Sequence, residues 1–477
     1  MGSVLSAGGA RGLSPRVRAR RDGVPELSFS ERPRGGHSRE RRAKMEDTLT
    51  FVMAGGQGER LRPLTDVRAK PAVPFGGIFR IIDFTLSNCV NSGLRRIFVL
   101  TQYKSYSLSN HLKTGWNMLS ARLDHFIDEV PAQQQRGSSW YQGTADAIRQ
   151  NANFVENKRP RLVLILSGDH VYKMDYRLLR AFHDEKEACL TVACVRLPAE
   201  ESAGNFGVME VDAAGRIVGF EEKPKEPKTI PGTTDCLASM GIYLFDAECL
   251  QRSLDNDHLD FGKDVIPMLI RQGEPVFAYD FTRRNEIPEW EFIKHEGVRR
   301  KELVPRSSDS DYWRDVGTLE QYWLANLDLV QPHPRFNVYG ENFPLFSAPG
   351  HFPPAKFVHE MPGRAGIAMN SIVADGVIVS GATVRESVLG SGVYVHSWAL
   401  IERSVLLGGA IRGGILTETS IGRRCRVRNA IIDKNVHLPE NTTIGYDRGE
   451  DERRGLKTAS ITGSNDHIVV VPKDFTL

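Results

Sequence analysis

Thr48-Leu49-Thr50-Phe51-Val52-Met53 runs directly into Ala54-Gly55-Gly56-Gln57-Gly58-Glu59-Arg60-Leu61-Arg62-Pro63-Leu64-Thr65. The first six residues are β-branched and apolar enough to read as a buried strand, and the glycines that follow open a turn at its carboxyl end. Glycine lets backbone N–H groups approach an anion closely, and Arg60, Arg62, Arg68 and Lys70 add positive charge beside them. The turn is not a Walker A loop, which needs Gly-Lys-Ser/Thr, nor a dinucleotide fingerprint, which needs a third spaced glycine. Taken alone it reads equally well as a phosphate grip or as a tight structural turn.

Similar apolar runs recur at Arg96–Thr101 and at 162–166, 190–195, 240–245 and 276–281, alternating with helix-like stretches. That alternation predicts an α/β, Rossmann-like fold with a mostly parallel, buried sheet. Ligands in such sheets sit beyond the carboxyl ends of the strands. Two motifs fall there: the glycine-rich turn, and Ser167-Gly168-Asp169-His170. After a proline-rich stretch (Pro332, Pro334, Pro344, Pro349, Pro353, Pro354) apolar residues recur every six positions: Ile372, Ile378, Val384; Leu389, Val395, Ile401; Ile415, Ile421, Val427; Ile432, Leu438, Ile444. Corresponding triplets start seventeen residues apart, at 372 and 389 and again at 415 and 432. Three short sides per coil give a hexapeptide-repeat, left-handed parallel β-helix. The expected division is a basic extension over 1–45, a catalytic domain over 46–331, a linker over 332–365 and the β-helix over 366–477. Hexapeptide coils can be acyltransferases, but His396 and His437 are isolated and the repeat is irregular over 408–414. The coil therefore reads as structural, serving oligomerisation and regulation.

The 477 residues call for two or three domains. The net charge of +3 is unevenly spread: residues 1 to 44 hold eleven Arg or Lys against four Asp or Glu, leaving the body slightly acidic and without a nucleic-acid signature. This head has no apolar periodicity and reads as disordered, either a flexible tail or an over-extended gene start with Met45 as the true beginning. Asp22, Glu26, Glu31 and Glu40 argue against a transit peptide. No apolar run reaches eighteen residues, so no membrane span is expected. Six scattered cysteines without a CxxC pair read as reduced core residues of a cytoplasmic protein.

The string from Gly55 to Thr65, followed by Arg68-Ala69-Lys70-Pro71-Ala72-Val73-Pro74, resembles the signature of the sugar-nucleotide pyrophosphorylases. Arg80-Ile81-Ile82-Asp83-Phe84, Trp140-Tyr141-Gln142-Gly143-Thr144-Ala145-Asp146-Ala147, Leu237-Ala238-Ser239-Met240-Gly241-Ile242-Tyr243 and Tyr312-Trp313-Arg314-Asp315-Val316-Gly317-Thr318 narrow the likeness to the bacterial glucose-1-phosphate adenylyltransferases. It runs from about Thr48 to Val471. The resemblance implies a Mg²⁺-dependent enzyme joining ATP to glucose 1-phosphate for glycogen synthesis, allosterically regulated, homotetrameric and cytoplasmic. It implies Asp169 and Asp315 as metal ligands, and Arg60, Lys70 and Asp169 as catalytic groups. ATP would meet Gly55, Gly56, Gly58, Gln133, Tyr141 and Gly143. Glucose 1-phosphate would meet Tyr141, Gly207, Glu222, Lys223 and Ser239, with Lys223 on its phosphate. Without the resemblance, Asp169 has a lesser alternative as a helix cap and Asp315 as a partner of Arg314, Lys223 reads first as a solvated face beside Glu221 and Glu222, and Tyr141 reads equally as core.

Two positions depart from the family pattern. Enteric members carry a lysine where Val67 stands, which puts activation by fructose 1,6-bisphosphate in doubt and leaves Arg68, Arg453 and Arg454 as candidate effector contacts. Glu59 replaces a common Thr or Ser, and beside phosphates it would have to point outward. Pyrophosphorylases for UTP, dTTP or GTP, and a non-catalytic regulatory subunit, are the competing readings. The intact set Arg60, Lys70, Asp169, Lys223 and Asp315 argues against the second.

Overall fold

The computed structural model describes residues 45–133, 139–412 and 415–477, so the expected disorder of the head lies, Met45 apart, outside the described residues. Strands β1 (Thr48–Met53), β2 (Arg96–Thr101), β3 (Phe126–Pro131) and β4 (Leu162–Ser167) are mutually parallel in the order β4-β1-β2-β3. β1, β2 and β4 are buried almost throughout because both faces are covered. Successive residues serve opposite cores: Val52, Ile97 and Leu164 lie in one cluster, Phe51, Phe98 and Ile165 in the other. Helices α1 (Ile81–Asn91) and α2 (Tyr106–Gly115) supply Leu86 and Leu112 to the first cluster, while α3 (Thr144–Gln150) supplies Ile148 to the second.

Beyond β4 the sheet gains β5 (Leu190–Pro198), β6 (Gly207–Val211), β7 (Ile217–Glu222), β8 (Asp235–Asp246) and β9 (Val276–Asp280), nine strands in all. The run at 240–245 belongs to the long β8, which lies antiparallel to β4, β5 and β6, while β9 is parallel to β5. The helix α4 (Tyr176–Glu185), capped by the Asp175 carboxylate, covers this half. Helix α5 (Ala247–Leu254) carries Cys249, which is joined by a disulfide to Cys189 just ahead of β5, with 5.7 Å between Cα atoms. This corrects the expectation of six reduced thiols. Sixty residues separate the pair, and only the folded topology brings them together. Cys89, Cys194, Cys236 and Cys425 are buried free thiols.

The C-terminal quarter is a coil of three mainly parallel sheets, the arrangement of a left-handed β-helix. One side stacks Ile378–Ser380, Val393–Val395, Thr419–Ile421 and His437–Leu438. A second stacks Thr383–Arg385, Leu400–Glu402, Arg426–Arg428 and Thr443–Ile444, and the third continues to His467–Val471. The coil starts at Lys356–Val358, which pairs with Ile378–Ser380. The repeat expected from Ile415 is a correction: Ala410–Arg412 and Ile415–Thr417 form an antiparallel hairpin, and the coil resumes at Thr419. Val405 therefore stands opposite Ile431, and upstream, independently of the hairpin, Ile372 stands opposite Val388 rather than Leu389. Apolar spacing alone does not separate a coil side from a hairpin strand.

Helix α6 (Leu319–Asp328) joins the two halves. Its Tyr322 and Trp323 share one core with Val388, Val405, Ile431 and Val470 of the coil, and the Trp323 indole donates to the Arg403 carbonyl at 2.8 Å. Among the described residues no helix is long and apolar enough to cross a membrane.

Candidate active site

The carboxyl ends of β1 and β4 meet where the Gly168 N–H donates to the Met53 carbonyl at 3.0 Å. The cleft above them encloses about 660 Å³ and is lined by the loop from Met53 to Arg60, Lys70, Tyr141 to Thr144, Ser167, Asp169, Asp260, Asp315 and Gly317. Gly58 takes a left-handed φ of 64°, which favours glycine, and its carbonyl accepts from the Thr65 hydroxyl at 2.8 Å, folding the loop back toward Lys70. At Gly317 a Cβ would fall 2.2 Å from Asp315 Oδ2, so only glycine leaves that carboxylate its place.

Lys70 sits at the cleft floor with its side chain 8% exposed. Its Nζ lies 3.0 Å from Asp169 Oδ2 and 2.9 Å from Asp315 Oδ1, and donates to the Asp315 carbonyl at 2.7 Å. Burial alone would lower the Lys70 pKa, but the two facing carboxylates outweigh it and hold the ammonium above the ordinary lysine value. Burial conversely works to raise both aspartates, yet Lys70 and the neighbouring His170 pull Asp169 and Asp315 below the ordinary carboxylate value. All three groups are thus held ionised. Arg60 is 58% exposed, with Nη2 3.6 Å from Asp315 Oδ2, so it reaches into the cleft from the rim. Asp315 pairs with Lys70 and Arg60 rather than with Arg314, and Asp169 caps no helix, that role next to it falling to Asp175.

A second group gathers at the Asp260 side. Gly207 stands opposite Glu222 in the β6–β7 ladder, where a Cβ on Gly207 would fall 2.7 Å from Glu222 Oε2. Burial, then the nearby Asp260, pushes the Glu222 carboxyl up. Lys223 follows with a left-handed φ of 53° and is exposed. Ser239 lies on β8 where the register shifts, accepting from the Gly241 N–H at 3.3 Å. The Tyr141 phenol, pushed up by burial, accepts from the Asn151 amide at 2.8 Å, and the residue lines the cleft while packing on the second core cluster.

Gly55, Gly56, Gly58, Arg60, Lys70, Tyr141, Gly143, Asp169 and Asp315 thus converge on one cleft. Gln133 lies just past β3 and is not among its described lining. Two charges expected at the triphosphate lie elsewhere: Arg62 pairs with Asp66 at 3.5 Å, and Arg68 is buried against Asp433 of the coil. Arg453 and Arg454 stand on or beside helix α7 (Arg448–Arg453), both paired with Glu450. Glu59 is exposed at the rim, as an acidic residue there requires. The sequence reading missed His170, whose Nε2 is 3.4 Å from Asp169 and 3.5 Å from Asp315, although it adjoins Asp169 in the chain. It also missed Asp260, which accepts from the Thr144 hydroxyl at 3.1 Å and carries no motif of its own.

Ligand atoms of Asp169, His170 and Asp315 lie within 4.8 Å of one another. Two carboxylates with a mouth open to solvent fit a hard divalent cation that keeps part of its water shell.

The family model described as nucleotidyl transferase matches residues 49–331, and that of the GlmU-like C-terminal hexapeptide matches 353–471. The chain is 45% identical over 435 residues to glucose-1-phosphate adenylyltransferase 2 of Pseudoalteromonas atlantica, covering 90% of this chain and 95% of that one. It is 46% identical over 420 residues to the glucose-1-phosphate adenylyltransferases of Shewanella baltica and Alteromonas mediterranea, covering 87% of this chain and 93% and 90% of theirs.

Proposed function

The chain belongs to the nucleotidyl transferase family, and we propose that it transfers the adenylyl group of ATP to α-D-glucose 1-phosphate, releasing pyrophosphate and ADP-glucose. One observation carries the reading. The glycine loop, Arg60 and Lys70 stand over the paired carboxylates of Asp169 and Asp315 in a single cleft. Relatives bearing that enzyme's name match over 87% to 90% of the chain.

A phosphate oxygen of the sugar phosphate attacks the α-phosphorus, the new P–O bond forms, and the bond to the β-phosphate bridging oxygen breaks. The nucleophile is already an anion, so alignment and charge neutralisation carry the catalysis and no general base is needed. The backbone of Gly55, Gly56 and Gly58 cradles the triphosphate, while Lys70 and Arg60 meet the negative charge that develops on the departing pyrophosphate. Asp169 and Asp315 would hold Mg²⁺, which when bound would supply Lewis-acid neutralisation of the phosphates. Tyr141 and Gly143 form the nucleotide wall, with Gln133 reaching toward the base. Lys223 takes the sugar phosphate, and Glu222, Ser239 and the small Gly207 admit the sugar hydroxyls. Arg453 and Arg454 are the remaining candidates for effector contacts, in a homotetramer.

The test is to incubate the purified chain with glucose 1-phosphate, Mg²⁺ and ATP, UTP, dTTP or GTP in turn, and to follow pyrophosphate. Release with ATP well above the others is expected. Absence of release with ATP overturns the reading.

A further inference from the structure

Arg68 stands two residues before Lys70, yet its guanidinium leaves the cleft and enters the β-helix. Its Nη1 meets Asp433 Oδ1 at 2.9 Å, the two side chains being 5% and 0% exposed. Asp433 follows the strand Ala430–Ile432, and its Oδ1 also accepts from the Lys434 N–H at 2.7 Å. Its backbone N–H donates to the Val471 carbonyl at 3.0 Å, so the residue is anchored within the coil. Its Oδ2 is buried without a hydrogen-bond partner.

A carboxylate so placed depends on Arg68 for its counter-charge. Replacing such a pair with apolar residues is often neutral for stability, so stability is a weak reason for keeping it. Its directional effect is stronger. On one side of Arg68, Thr65 closes on Gly58; on the other, Ala69 is fully buried and Lys70 opens the short turn Lys70–Ala72. Helix α6, which follows the Asp315–Gly317 loop, packs on the same part of the coil, where Tyr322 and Ile431 share a core. Gln321 at its start accepts from the Gly317 N–H at 3.2 Å. The segments that carry Lys70 and Asp315 are therefore both footed on the β-helix.

We propose that Asp433 is a positioning residue for the reaction: through Arg68 it fixes the segment that aims Lys70, making the β-helix part of the catalytic machinery rather than only a stacking platform. The inference rests on the role given to Lys70 above. Misplacing a group by about 1 Å costs on the order of 10²-fold in rate. Asp433→Asn keeps the shape and one acceptor but removes the charge that holds Arg68.

The test is a kinetic double-mutant cycle on the full chain, with Asp433→Asn, Lys70→Met and the double variant, and thermal unfolding measured for each. Asp433→Asn is expected to lower kcat by at least about 5-fold while both KM values stay within about 3-fold. In the Lys70→Met background the same change should have no further effect, because its route is already cut. Arg68→Lys, which keeps the charge but loses the planar fork, repeats the comparison from the other partner should Asp433→Asn fold poorly. A kcat loss below 5-fold, or an equal loss with and without Lys70, overturns the proposal, since a purely structural pair acts independently of Lys70. A wild-type chain inactive with ATP and glucose 1-phosphate overturns instead the function on which the proposal rests.

Discussion

Lys70 and Arg68 are both cations held on carboxylates in a buried setting, two residues apart, and they do opposite things. Lys70 faces two aspartates at the floor of an open cleft, where an incoming anion would compete for the ammonium and a divalent cation for the carboxylates. Arg68 faces one aspartate in a sealed joint between the catalytic half and the coil. The difference lies in access to solvent: a pair that solvent and substrate can reach is exchangeable, and one they cannot reach is fixed. One segment thus carries a working charge and, beside it, the anchor that aims it.

The largest effect expected on the exchangeable side is for Asp315→Asn, which removes a carboxylate from both Lys70 and the cation site. We expect kcat to fall by about 10³-fold, with a lowered melting temperature because the buried Lys70 ammonium loses one of its two carboxylates, as steady-state kinetics and thermal unfolding would show. Lys70→Met should cost about 10²–10³-fold in kcat. It should also raise affinity for Mn²⁺ without nucleotide, measured by electron paramagnetic resonance, because no ammonium then lies between the carboxylates. Unchanged or weaker binding would contradict the competition. Arg60→Ala, at a half-exposed rim position, should lower kcat by about 10²-fold without unfolding the chain.

The charges also fix a pH dependence. Asp169 and Asp315 are depressed, so their contribution to stability is present above the unfolded value near ~3.9 and is lost as pH falls through their lower folded values. Lys70 is raised, so its contribution is present below ~10.4 and is lost as pH rises through its higher folded value. The stability difference between wild type and Lys70→Met, measured by denaturant unfolding across pH, should therefore grow as pH rises above ~4, because without the ammonium burial raises the two aspartates. A difference that stays flat from about pH 4 upward would mean that Lys70 does not hold the aspartates down. Smallest of all, Arg453→Ala should change stability by under about 1 kcal/mol, because among the described residues that arginine pairs only with Glu450 at the surface.

Much of this was legible in the chain. Thr48–Met53 and Arg96–Thr101 were readable to the residue because a doubly covered parallel strand must be apolar on both faces. The nine residues of the cleft were readable as family motifs, yet nothing in spacing or composition says that Lys70 meets Asp315, some 245 positions away. Arg68 was misread as a free charge because it sits in a phosphate motif, and only its position over the coil reveals Asp433. Ile415 was misread because a hairpin strand and a coil side share the same apolar signature, and His170 was passed over because its role comes from lying between two aspartates that only the fold brings together.

The most direct measurement is a ³¹P NMR record of the purified chain with ATP, glucose 1-phosphate and Mg²⁺, followed in parallel for Asp315→Asn. The account predicts that pyrophosphate and the paired resonances of ADP-glucose appear in equal amounts with wild type and are nearly absent with the variant. Inorganic phosphate in place of pyrophosphate, pyrophosphate without the nucleotide sugar, or an undiminished rate in the variant would contradict it.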